Sequence, residues 1–155
     1  MKILKRNTRG FTLIELLIVI AIVGALATTL MVAINPGKQL AKARDSERET
    51  DLVAIISAVL QYSSEHSGDL PDTDGDPDTN NFPTSLTCVG TDPGCFDLAG
   101  AGETDYEIIP EYMAELPADP RTGDAGDIGY MIYVDANGHL HASASGETKT
   151  IQLVR

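Results

Sequence analysis

Glu15 stands alone as an ionisable residue inside an apolar run, FTLIELLIVIAIVGALATTLMVAI, that extends 24 residues from Phe11 to Ile34. A carboxylate near the centre of a membrane helix costs roughly 2.5–3.5 kcal/mol, and less near the interface. Something is therefore expected to offset it. The positive end of the helix dipole is one candidate. A new amino terminus at Phe11, created by cutting after Gly10, is another, and a position at the headgroup level is the plainer alternative. Lys2, Lys5, Arg6 and Arg9 precede Gly10, while all 23 acidic residues follow it.

Three further groups invite chemistry. In Asp72-Thr73-Asp74-Gly75-Asp76-Pro77-Asp78 the alternating carboxylates offer hard oxygen ligands for calcium, although neither register supplies both the glycine and the terminal glutamate of an EF-hand loop. A solvated acidic loop is the competing reading of Asp72, Asp74, Asp76 and Asp78. Cys88 and Cys95 bracket a short Gly/Pro/Asp-containing segment. In an exported chain a disulfide there persists, with two thiols or a redox pair as alternatives, although the two-residue separation of redox motifs is lacking. His139 and His141 share one face of a strand, which suggests either a metal pair or two exposed histidines beside a turn. No nucleophile arrangement, phosphate-binding glycine loop or compelling carboxylate pair is present, so an enzyme is not expected, and no cofactor is implied beyond the possible calcium.

At about 1.5 Å per residue a helix over 11–34 is roughly 36 Å long, enough for a hydrocarbon core of about 30 Å. A secretory signal has a shorter apolar core followed by its cleavage site, whereas here Gly10 lies before the run. The basic leader favours a cytoplasmic N-terminus, with the rest outside. Removing residues 1–10 takes the formal net charge from −12 to −16, because four bases leave with it. That acidity argues against direct nucleic-acid binding.

The string Arg9-Gly10-Phe11-Thr12-Leu13-Ile14-Glu15-Leu16-Leu17 resembles the cleavage and methylation signal of type IV prepilins and type II secretion pseudopilins. The resemblance implies cleavage between Gly10 and Phe11 by a membrane prepilin peptidase and N-methylation of Phe11. It further implies an inner-membrane assembly platform, and a homo- or hetero-oligomeric filament in which Glu15 pairs with a neighbour's amino terminus. The precursor would be a single-pass protein in contact with membrane lipid, and the product an extracellular or periplasmic filament. Pilus and secretion pseudopilus share these features; the acidic run lying before the cysteines leans toward a pilin-like subunit, with a membrane-tethered calcium-binding or adhesive module acting through the loop region as a further alternative.

The elements that must position these residues follow from periodicity. Small residues Ala21, Gly24, Ala25 and Ala27 permit close helix approach. Asn35-Pro36-Gly37 interrupts or softens the helix, and a continuing, locally softened helix is expected through residues 35–68. In it Leu52, Ile55, Ile56, Val59 and Tyr62 form an apolar face. The charged stretch before them, with Lys42/Asp45, Arg44/Glu47 and Asp45/Arg48 three apart, reads as a solvated stalk. Ser67-Gly68 and Pro71 stop the helix. Residues 69–120 read as loops with at most short elements and little core of their own. Tyr130–Val134 and His139–Ala144 form a hairpin about Asp135-Ala136-Asn137-Gly138, with a third strand at 148–154. The expected fold class is α+β and pilin-like, a long N-terminal helix on a small C-terminal antiparallel sheet. The divisions are a leader at 1–10, a transmembrane and assembly helix at 11–34, an amphipathic continuation at 35–68 and a head at 69–155. Leu116-Pro117-Ala118-Asp119-Pro120 before the sheet resembles the pilin head as well.

Overall fold

The computed structural model describes residues 10–74 and 79–155 and divides into two compact units, Met1–Gln39 and Leu40–Arg155. In the first, helix α1 spans Leu13–Ile34 and buries none of its residues. Leu13, Leu16, Ile20, Val23, Leu26 and Leu30 are all exposed. A helix apolar on every side needs lipid or other helices around it, and α1 is long and apolar enough to cross a membrane.

Helix α2 spans Pro36–Glu65. The expected softened continuation is replaced by a full break of one residue, Asn35, which adopts the left-handed conformation at φ 47°. Proline explains this: Pro36 has no N–H to continue the α1 ladder and disfavours helical geometry in the residue before it. The same proline suits the first position of a new helix. The Asn35 carbonyl then accepts the Lys38 N–H at 3.0 Å.

In the second unit α2 runs on to Glu65 and ends in a left-handed cap, with Ser67 at φ 60° and Gly68 at φ 103°. The Gly68 N–H closes onto the Ser63 carbonyl at 2.8 Å. Its predicted apolar face is the buried one: Leu52, Ile55, Ile56, Val59 and Tyr62 share a single core with the sheet.

The sheet has four antiparallel strands in the order β1-β2-β3-β4, namely β1 Thr87–Cys88, β2 Tyr130–Val134, β3 Leu140–Ala144 and β4 Ile151–Val154. Tyr130 pairs with Ala144, and Ala144 with Ile151. Strand alternation turns Tyr130, Ile132, Leu140, Ala142, Ala144 and Ile151 inward. Strand β1 is an addition to the expected three. The loop region also has more core than expected, since Phe82, Val89, Phe96, Leu98, Ala101 and Ile108 are buried with the rest. The Tyr130 hydroxyl donates to Asp51 at 2.6 Å. Burial and that carboxylate together push the Tyr130 phenol well above its ordinary range.

Candidate functional site

Gly10 and Phe11 are exposed and precede the helix, with Phe11 at 87% relative exposure. Thr12 is the N-cap of α1. Its hydroxyl accepts the Glu15 N–H at 3.2 Å, and its own N–H and O–H donate to Glu15 Oε2 at 3.0 and 2.9 Å. This reciprocal capping box satisfies donors that a helix start otherwise leaves unpaired, which matters most where no water is available. Thr12-x-x-Glu15 ahead of an apolar run is the sequence signature of such a box, one that reasoning from the charge alone overlooks. Glu15 thus has an intrachain task before any partner subunit is considered.

A second polar constellation sits in the other unit and corrects the stalk reading. Asp45 and Arg48, expected to be solvated, are each 2% exposed, and Asp119 is 5% exposed. Arg48 grips Asp119 with two nitrogens, Nε to Oδ2 at 2.5 Å and Nη2 to Oδ1 at 3.1 Å, and donates through Nη1 to Asp45 Oδ1 at 2.9 Å. Asp45 also accepts the N–H groups of Glu147 and Thr148, both at 2.8 Å. Asp119, from the Leu-Pro-Ala-Asp-Pro segment, accepts the Arg121 and Thr122 N–H groups at 2.9 and 3.0 Å. One guanidinium therefore ties α2 to the segment before β2, and its neighbour Asp45 ties α2 to the β3–β4 turn. Gly146 in that turn has no room for a side chain, since a Cβ there would lie 2.0 Å from the Lys149 carbonyl oxygen.

Two comparisons bear on the chain. Residues 5–33 match the family described as the prokaryotic N-terminal methylation motif. The type II secretion system core protein G of Klebsiella michiganensis is 29% identical over 146 residues, covering 92% of this chain and 86% of that protein. Both findings support the resemblance to prepilins and pseudopilins. The matched residues include the exposed Gly10-Phe11 pair, the capping box and α1 as far as Ala33. No solved structure matches the chain.

Elsewhere in the chain, Cys88 and Cys95 are joined by a disulfide. The Phe96 N–H returns to the Cys88 carbonyl at 2.8 Å, and Phe96 packs edge-on against Phe82. With a sequence separation of 7, loop-closure entropy gives the bond a worth of roughly 2–3 kcal/mol. A Cys88→Ala/Cys95→Ala chain is therefore expected to unfold at lower urea with an unchanged fold, a shift read by equilibrium denaturation in detergent. Cys88, Cys95 and Asp127 lie close enough to suggest a metal cluster, but disulfide sulfurs are not the thiolates that bind metals.

In the acidic run, the Asp72 carbonyl accepts the Gly102 N–H at 2.7 Å, and Asp74 Oδ2 accepts the Thr79 hydroxyl at 3.2 Å. Asp76 and Asp78 lie outside the described residues. His139 and His141, by contrast, are brought together, and on a residue not considered with them: both face the Asp135 carboxylate.

Proposed function

We propose that the chain is the precursor of a structural subunit of a type IV pilus or a related filament. In this reading it enters the membrane with its leader in the cytoplasm and is cut between Gly10 and Phe11 by a prepilin peptidase. Methylation of Phe11 and polymerisation through α1 by an inner-membrane platform follow, with the head displayed outside. Its role is structural rather than catalytic. The observation that carries this reading is the methylation motif running into an exposed helix whose single charge is Glu15, with Gly10-Phe11 just before it and Thr12 and Glu15 closing its capping box. A surface of that kind suits a bilayer first and a bundle of identical helices afterwards.

A second reading, a secretion pseudopilin, is favoured by the similarity to a type II secretion core protein along 92% of the chain. The two share processing and differ in where the filament ends. Imaging of cells that make a tagged chain separates them: surface filaments support the pilus, while filaments confined to the periplasm support the pseudopilus. Gly10→Val is expected to leave an uncleaved precursor, heavier by the leader, in the membrane fraction. Intact-mass measurement of wild-type length for that variant contradicts the proposed cleavage site.

A further inference from the structure

We propose that the open edge of β4 and the groove beside it form a docking site for an extended, acidic polypeptide segment that adds to the sheet as a fifth strand. The sheet treats its two edges differently. Beyond β1 the chain folds back over the edge: the Phe96 N–H donates to the Cys88 carbonyl at 2.8 Å, and the Gly90 N–H to the Phe96 carbonyl at 3.0 Å. β4 is the other edge, and among the described residues it pairs only with β3. Leu140 and Arg155 exchange both backbone bonds, at 2.8 and 3.0 Å. Bonded and non-bonded pairs alternate along an antiparallel ladder, so Ile151 and Leu153 bond to β3 while Gln152 and Val154 turn their N–H and carbonyl groups outward. An edge of that kind is a template for another strand.

Between this edge and α2 lies a groove of about 300 Å³. Its apolar lining comes from Leu52 and Val53 on α2 and from Ile151 and Leu153 on β4. Val53 remains 48% exposed. Side chains alternate across a strand, so every second residue of an incoming segment lies over these four while its backbone meets Gln152 and Val154. Apolar residues suit those alternate positions.

The charge of the partner follows from the two ends of β4. At one end Lys149 is matched by Glu49. At the other, Arg155 is exposed and makes no ion pair among the described residues; its guanidinium donates to the Val154 carbonyl at 3.3 Å, capping one of the outward acceptors. In a chain of net charge −12 such a base is a local exception, and it marks where the partner's acid goes. A carboxylate there draws the guanidinium off the Val154 carbonyl and frees that carbonyl for the segment's own N–H, so acidity and strand addition favour each other. A second copy of β4 is the poorer match, because the antiparallel register centred on Gln152 sets Lys149 against Arg155.

The test pans phage displaying short random peptides against the full chain in detergent. Enriched sequences are expected to alternate apolar residues and to carry Asp or Glu at one end, and a labelled synthetic peptide of the leading sequence to bind saturably. Gln152→Pro should weaken that binding about tenfold, since it deletes an outward N–H that the fold does not use. Val53→Lys, which fills the groove, should also weaken it. Arg155→Glu should reverse the preference, so that a peptide with Lys in place of its acid binds better than the original; a merely structural role gives no such reversal. Leu86→Ala, at an exposed site beside β1, leaves affinity unchanged, and thermal melts that match the parent show that the variants fold. No enrichment above that on the Gln152→Pro chain overturns the proposal, as does unchanged affinity for a peptide N-methylated along its strand or an unaltered charge preference in Arg155→Glu. Self-association that Gln152→Pro abolishes, with no peptide binding, assigns the edge to a second copy and overturns it too.

Discussion

Arg48→Ala is expected to lower the unfolding free energy of the second unit by roughly 3–5 kcal/mol, the cost of stripping one partner from a buried ion pair. That is a large share of the stability of an ordinary domain, about 5–15 kcal/mol. The size follows from geometry: Arg48 is the cation between two carboxylates that are themselves almost fully buried. Removing it leaves Asp45 and Asp119 with their backbone donors but without the guanidinium that hydrogen-bonds both. Arg48→Lys should recover little, because one ammonium cannot reproduce the two-pronged grip on Asp119. Arg44→Ala is the comparison. Arg44 pairs with Glu147 at 2.5 Å but about one third of its side chain meets solvent, and a surface pair is worth roughly 0–1 kcal/mol. Equilibrium urea unfolding of the full chain in detergent measures both, and equal midpoints for the Arg48 and Arg44 variants would refute the argument.

The same cluster sets an acid limit. Thr148, chiefly through its hydroxyl, holds the Asp45 carboxyl well below the usual carboxylate range, and the Arg48 guanidinium does the same for Asp119. A folded-state pKa below the unfolded value stabilises fully above the unfolded value of about 3.9 and less as pH falls beneath it. Stability should therefore hold down to about pH 4 and decline below it, with a shallower decline in an Asp119→Asn chain.

The apolar face of α2 was legible because burial imposes a period: Leu52, Ile55, Ile56, Val59 and Tyr62 could only line one side of a helix. The hairpin was legible for the same reason, with period two and a turn sequence between. Arg48 was not. An Asp45/Arg48 pair three apart looks the same on a solvated helix as on a buried one. What distinguishes them is Asp119, 71 residues away, and the Glu147 and Thr148 amides more than 100 residues away. Strand β1, two residues long, is too short to show any alternation. Asp135 escaped notice beside His139 and His141 because it belongs to the opposite arm of the hairpin, and only the turn geometry brings its Oδ2 between them. At the amino-terminal end the methylation motif was readable outright, since its residues are contiguous. The capping box was equally local.

Glu15→Leu is expected to leave membrane insertion and cleavage after Gly10 intact while abolishing filaments, and the capping box supplies the control that isolates why. Two properties of Glu15 are lost together in that variant: the negative charge proposed to meet a neighbour's amino terminus, and the Oε2 that accepts from Thr12. Glu15→Gln separates them. A glutamine at this helical position can close the box with its carbonyl oxygen but carries no charge to offset an incoming ammonium in a medium where an unpaired ion is costly. If charge pairing drives assembly, both variants insert, both are cleaved to the mass of the mature chain, and neither yields filaments by electron microscopy. Normal filaments from the Gln chain with none from the Leu chain would assign Glu15 to capping α1 alone. Normal filaments from both would show that neither property is needed, and the apolar surface of α1 would then have to hold the filament without electrostatic guidance. The charge-pairing result fits a helix whose every apolar side chain is already exposed for packing, because apolar contact by itself sets no register between neighbours whereas a single ion pair near the helix start does.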